Sequence, residues 1–281
     1  MSWLVFALVF WIAAWWLNTV LANSVWRDTR MVRIFVPVLF GGTLLVLWEG
    51  LVRGFAVSPV ILPAPSTVAQ TFARSTGLLW EDFRQTVVKG ALTGYAIGAA
   101  AAFVAAILID RSAFLTRGLL PIGNFVAALP IIGIAPILVS WFGFDWHSKA
   151  AVVGVMVVFP ILVTTVQGLR EADTMQRDLM RTYAAGYLQT LLKLRLPAAM
   201  PFVFNGLKIA TTLALIGAIV AEYFGSPTRG MGFRISTGVG SLSIDLVWAE
   251  IFVAAIAGTA FYGIVVRIER AVTFWHPSQR K

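Results

Sequence analysis

From Ser2 to Trp26 the chain carries no ionisable side chain. An α-helix needs roughly 20 apolar residues to cross the hydrocarbon core of a bilayer, and this run is longer than that. Its neutral start and its wealth of Trp and Phe separate it from a cleaved signal peptide, which begins basic and has a short apolar core. It is expected to remain as a first span. Six more apolar stretches follow: Ile34 to Val52 (broken by Glu49), Gly90 to Ile109, Gly118 to Phe144, Ala150 to Leu169, Ile209 to Phe224 and Leu246 to Val266. Backbone groups in lipid must be bonded within their own segment, so seven such runs imply an all-α, polytopic transmembrane bundle. With 59% hydrophobic and only 12% charged residues, the chain has too little polar surface to cover a water-soluble core of this kind.

The net charge of +9 reports topology. Nucleic-acid binding would cluster cations on a soluble domain, whereas here they sit between apolar runs. Arg27, Arg30, Arg33, Arg111, Arg117, the segment 170–208 and the C-terminal tail fall on one side, which holds 15 of the 22 cations. Cytoplasmic loops retain Lys and Arg, so this side is the cytoplasm, with the N-terminus outside and the C-terminus inside. The chain has no Cys, which excludes disulfides and thiolate metal sites. His147 and His276 are too few for a metal cage and are expected at the membrane interface. No GxxxxGK[ST] phosphate loop occurs, so no ATP site and no cofactor are expected in this chain.

Gly90, Gly94, Gly98, Ala102 and Ala106 recur every four residues and line one helix face with small side chains, a surface for close helix packing. The stretch 118–144 contains Pro121, Pro130, Pro136, Gly133 and Gly143, so this span is expected to be broken. A broken helix at membrane depth is tolerated where it faces protein or a water-filled path, which makes Ala128 to Pro136 a candidate substrate-path element. Glu49, Glu222 and Glu250 lie within or at the ends of spans, where a carboxylate is costly unless paired. Glu222, with Tyr223 beside it, is a candidate for the translocation path or a partner of Arg229 or Arg234; Glu49 and Glu250 are expected at the interface. Residues 53–89 form a long outer connection through Leu62-Pro63-Ala64-Pro65-Ser66, with a polar, interfacial helix after it. Gly225 to Asp245 has five Gly and reads as a loop or re-entrant element.

Between two apolar spans, eight of the 26 residues from Arg170 to Arg195 are charged. Asp173 followed by Gln176 reads as a helix-start capping pair, and Met175, Leu179 and Tyr183 then repeat every four residues. Ala185-Gly186 supplies a turn, and Leu188, Leu191 and Leu192 begin a second short helix expected to stop at Pro197. Such a helix-turn-helix either rests on its own bundle or offers its apolar face to a partner.

This segment resembles the EAA loop of bacterial ABC importer permeases: Glu-Ala-Ala, three residues, Gly, nine residues, Ile, one residue, Leu-Pro. Asp178 stands at the leading glutamate, Leu179 and Met180 at the alanines, Ala184 at the glycine and Leu194 at the isoleucine, ahead of Leu196-Pro197. Gly186 is expected to supply the turn two positions late. The stretch Ala214 to Gly225 with Gly230-Met231-Gly232 is similar to the next span and loop of the subfamily that imports sulfonates, taurine, nitrate, thiamine-pyrimidine or riboflavin-type vitamins, and Leu62 to Ser66 resembles its first outer loop.

The resemblance implies a type I ABC importer permease fold, about six core helices plus the extra N-terminal span, in a bacterial inner membrane. Residues 1–33 are then the extra helix and linker, 34–270 the permease domain with its coupling loop at 170–201, and 271–281 a cytoplasmic tail. It further implies a pair of ABC ATPase subunits that bind the ATP, a periplasmic solute-binding protein, and a second copy of the chain. Asp178, Arg181, Tyr183, Ala184, Gly186, Leu194 and Pro197 would carry ATPase coupling. The rival reading is an ion-gradient-driven secondary transporter using Glu222 or Glu250, although no inverted repeat accompanies it.

Overall fold

The computed structural model describes residues 2–127, 129–225 and 228–275, and every regular element among them is helical. In chain order these are α1 (Ser2–Ala22), α2 (Arg30–Gly54), α3 (Pro65–Arg74), α4 (Thr76–Phe83), α5 (Thr93–Arg111), α6 (Ala113–Ala127), α7 (Ile131–Phe142), α8 (Trp146–Arg170), α9 (Thr174–Thr182), α10 (Tyr187–Thr190), α11 (Leu196–Gly225), α12 (Met231–Gly240) and α13 (Ile244–Val272). Two π-helical segments, Arg84–Leu92 and Leu191–Arg195, fuse α4 to α5 and α10 to α11. The resulting continuous helices Thr76–Arg111 and Tyr187–Gly225, together with α1, α2, α8 and α13, make six helices long and apolar enough to span a membrane.

Three expectations change. The stretch 118–144 is broken as anticipated, into α6 and α7, neither as long as a full span. Pro130 is extended (φ −67°, ψ 116°) and opens α7, since a residue without an N–H cannot carry the ladder forward. Ala128, in the candidate path element, lies outside the described residues, as do Ser226, Pro227 and His276. The span expected from Gly90 begins instead at Thr76, because Arg84 and Lys89 interrupt the hydropathy without interrupting backbone bonding. Gly225 to Asp245, expected as a loop or re-entrant element, contains the helix α12.

The chain divides into two compact units, residues 1–79 with 237–250 and residues 80–236 with 251–281. In the first, α1 and α2 pack along small residues: Ala7 is 1% exposed, and a Cβ at Gly50 would collide with it. Glu49 sits at the start of α3. Its carboxylate accepts from the Ser66 N–H at 2.9 Å and the Ser66 hydroxyl at 2.7 Å and pairs with Arg53, so a polar group inside a span is satisfied as a helix cap. Glu250, expected at the interface, is fully buried.

The second unit is organised around α8. The Gly90, Gly94 and Gly98 stripe lies against it: a Cβ on Gly94 would come within 2.6 Å of Val153 Cβ and 2.7 Å of the Ala150 carbonyl, and one on Gly98 within 3.1 Å of Gly154. A Cβ on Gly90 would lie 3.4 Å from the Cβ atoms of both Ala218 and Lys149. On the other side α11 presents Ala210, Ala214 and Ala218, all fully buried, in the same four-residue rhythm. Two small-residue faces thus bring α5 and α11 close to α8, with Val153, Val157 and Ile161 filling the space between them. Gly94→Val is expected to cost about 1–3 kcal/mol through overpacking. Thermal unfolding in detergent should show the loss, while Gly41→Ala, with open space at its Cβ, should leave stability unchanged or slightly raised.

Candidate functional site

The loop between α8 and α11 is built from its anchors outward. Arg195 places its guanidinium on the Asp110 carboxylate through two hydrogen bonds of 2.7 and 2.6 Å and donates a third, from Nε, to the Leu169 carbonyl at 3.0 Å. The ion pair is largely dry, with side-chain exposures of 14% and 4%. Tyr187 donates its hydroxyl to Asp110 at 3.3 Å, and Arg111 lies over the Tyr187 ring. One carboxylate at the end of α5 therefore fixes the end of α8 and the start of the Tyr187–Gly225 helix. Arg177 ties α9 down in the same way, donating to the Ala172 carbonyl at 2.9 Å and the Arg170 carbonyl at 2.6 Å. Below these, Leu169, Leu191, Ala199 and Val203 form a buried cluster.

Asp173 caps α9 as expected, accepting from the Met175 N–H at 3.3 Å. The far end of α9 corrects the sequence reading of the turn. Ala184 has φ +50°, the left-handed region that glycine favours, and the Ala185 N–H returns to the Met180 carbonyl at 3.0 Å in a Schellman-type ending. Gly186, expected to make this turn, is extended (φ −69°, ψ 171°) and opens α10. The position matching the motif glycine is thus the one that needs a glycine-like backbone, although alanine fills it. The second helix does not stop at Pro197. It runs on as α11, because the wide π turn at Leu191–Arg195 precedes the proline and the Leu196 N–H bonds to the Leu191 carbonyl.

With the loop pinned from below, its apolar stripe is left largely uncovered by the described residues. Met175, Leu179 and Tyr183 are 77%, 55% and 76% exposed, and Leu188 and Leu192 continue the exposed apolar surface. Asp178 and Arg181 flank it as an exposed pair at 3.0 Å, a contact of small energetic weight. Leu194 and Pro197 are half-buried in the helical stem, apart from this stripe.

The candidate path residues are placed differently from one another. Pro130 and Pro136 are exposed and Tyr223 is half-exposed, but Glu222 is only 1% exposed. Neither expected partner reaches Glu222: Arg229 pairs with Glu81 at 2.7 Å and Arg234 with Asp82 at 2.8 Å. Glu222 instead accepts from the Thr86 hydroxyl at 2.6 Å and the Gly232 N–H at 3.1 Å, Thr86 accepts from the Met231 N–H at 2.8 Å, and Asp82 from the Gly230 N–H at 2.6 Å. Three buried acceptors cap the start of α12. Gly230 has φ +115°, and a Cβ there would strike the Glu222 carboxylate. Lys149, fully buried, donates to the Phe144 carbonyl at 2.5 Å and the Gly225 carbonyl at 2.6 Å. His147 is exposed, in keeping with an interfacial position, and among the described residues no group of His, Cys, Asp and Glu could hold a metal.

Six helices among the described residues that are long and apolar enough to span a membrane define a polytopic helical membrane protein, with a short amphipathic loop that turns its apolar stripe outward. Residues 80–274 match the family of binding-protein-dependent transport system inner membrane components, and the chain belongs to that family as an all-α, multi-pass inner-membrane permease of the ABC importer class. It is 32% identical over 234 residues to a Haemophilus influenzae protein named "Probable ABC transporter permease protein", covering 82% of this chain and 94% of that one. It is 30% identical over 255 residues to the formylaminopyrimidine transport permease protein ThiX of Halalkalibacterium halodurans, covering 89% and 99%. To the riboflavin transport system permease protein RibX of Chloroflexus aurantiacus it is 28% identical over 237 residues, covering 84% and 88%.

Asp110, Arg195, Arg177, Asp82 and Thr86 were not singled out in the sequence, and Glu222 was singled out for a different role. Asp110 and Arg195 are 85 positions apart, and only the fold reveals that they pair. Asp110→Ala should destabilise the protein by about 3 kcal/mol by leaving a buried guanidinium unpaired, and Asp110→Asn combined with Arg195→Met should recover part of that loss in thermal melts. Ala184→Gly should relieve about 1 kcal/mol of backbone strain. Hydrogen exchange of the amides around residues 183–187 would slow by about fivefold if so.

Proposed function

We propose that this chain forms the translocation pathway of an ATP-driven importer and receives its power stroke through the exposed stripe on α9. The observation that carries this reading is the contrast within one loop: Arg195, Tyr187 and Arg177 fix its stem through partly buried polar contacts, while Met175, Leu179 and Tyr183 stay open to water. An apolar stripe maintained at that hydrophobic cost fits a helix face that is covered in an assembly. In this proposal a pair of ATPase subunits docks on the loops of two copies of the chain and binds the ATP. A periplasmic binding protein delivers solute on the opposite side, with the N-terminus outside and the C-terminus cytoplasmic.

The cargo is a small solute. A vitamin precursor, such as a pyrimidine or riboflavin, and a sulfonate- or nitrate-type anion both stand as cargo classes: the likeness to ThiX and RibX supports the first, and a comparable likeness to an aliphatic sulfonates permease supports the second. Pro130, Pro136 and Tyr223 remain candidate path residues, while Glu222 moves to a structural role as the cap of α12. The same reassignment removes one of the two carboxylates the gradient-driven rival could use, leaving Glu250 as its ion site.

Burying Met175 and Leu179 against a partner is worth about 1.5–3 kcal/mol each, so Met175→Asp with Leu179→Asp should weaken ATPase co-purification by about 100-fold or more. Uptake in cells should fall with it, while the variant still inserts and melts like the wild type. Unchanged co-purification and uptake would sink the docking role. Uptake that survives ATP depletion with the proton gradient intact would favour the gradient-driven reading.

A further inference from the structure

At the end of the Thr76–Arg111 helix remote from Asp110, the π-helical segment Arg84–Leu92 arranges charge in a way an α-helix would not. Its i→i+5 bonding widens the turn, so that residues five apart fall on the same side of the helix. Arg84 and Lys89 therefore share a face, with Gln85 beside them; at 3.6 residues per turn the same positions would diverge by about 140°. These three side chains, with Glu81 and Arg229, line a concave pocket of about 110 Å³.

The carboxylates nearby are already engaged. Glu81 is held by Arg229 at 2.7 Å, and Asp82 takes Arg234 and the Gly230 N–H. Among the described residues, the side chains of Arg84, Gln85 and Lys89 make no hydrogen bond or ion pair. The pocket thus gathers three cations against one committed carboxylate, and it adds a neutral amide donor. Two like charges brought together by a helix distortion repel one another unless an anion lies between them.

We propose that this pocket binds a small oxyanion, a sulfonate, phosphate or carboxylate group, through Arg84 and Lys89 with the Gln85 amide as a further donor. The site is distinct from the coupling loop and stands whether or not that loop docks an ATPase. Its concavity suits a single anionic group, and two sources present that chemistry: a free solute and the headgroup of an anionic lipid at the bilayer surface.

The test uses the full chain in nanodiscs of neutral phosphatidylcholine, with radiolabelled sulfate as the probe in equilibrium dialysis. Arg84→Gln with Lys89→Gln should weaken sulfate binding by at least about tenfold, since hydrogen bonds to a charged partner are lost at both positions. Lys89→Arg should retain binding, and Arg33→Gln should not change it. Adding phosphatidylglycerol to the discs separates the sources. Sulfate binding that persists there assigns the site to a free solute; sulfate displaced by the lipid in the wild type assigns it to a headgroup, and either result upholds an oxyanion site. Absence of sulfate binding by the wild type in neutral discs, or equal binding by wild type and double variant with matching melting curves, overturns the proposal.

Discussion

The two-armed contact between Asp110 and Arg195 is the interaction on which the loop between α8 and α11 depends. It is short, nearly dry and reinforced by the Tyr187 hydroxyl, which donates to Asp110, and by the Leu169 carbonyl, which accepts from Arg195. A paired charge of this kind specifies geometry more than it adds stability, because the desolvation of both partners offsets much of their attraction. The geometry it specifies joins the end of α5, the end of α8 and the beginning of a 39-residue helix at one point. Without that junction the π turn at Leu191–Arg195 would have no fixed footing, and α9 would be free to fold its apolar stripe back onto the bundle.

The opposite end of α11 is fixed by a different chemistry. Glu222, Thr86 and Asp82 supply acceptors to the first N–H groups of α12, and Lys149 takes the Gly225 carbonyl where α11 ends. A carboxylate within an apolar helix invites a functional reading, since charge is costly in lipid. Here capping offsets part of that cost through one carboxylate oxygen, which takes the Thr86 hydroxyl and the Gly232 N–H, while the other oxygen is buried without a partner among the described residues. The continuous helix Tyr187–Gly225, about 60 Å long at 1.5 Å per residue, is therefore pinned at both ends by polar contacts, with small-residue packing against α8 between them. Motion imposed on the loop would reach α12 through one element.

Much of this was legible from residue order alone. Six of the seven apolar runs mark spanning helices, the Gly94–Gly98 rhythm gave the face that meets α8, the prolines around 130 gave the break between α6 and α7 that leaves 118–144 without a full span, and Asp173 gave the start of α9. The spacing from Ala184 to Pro197 located the loop although few motif residues are kept. Three features could not be read. Hydropathy ends where charges begin, so it missed the helical extensions carrying Arg84 and Lys89. A proline is a poor stop signal when a π turn precedes it, as at Pro197. Ion pairs between distant positions leave no local pattern, which hid Asp110 with Arg195 and misdirected the pairing of Arg229 and Arg234.

The chain contains no cysteine, so a single Leu179→Cys substitution provides one reporter in the middle of the exposed stripe. The most direct measurement is the rate at which that thiol reacts with a water-soluble maleimide, in the permease alone and in the importer assembled with its ATPase. Docking on α9 predicts ready labelling of the free permease and strong protection in the assembly. Equal labelling in both would contradict it.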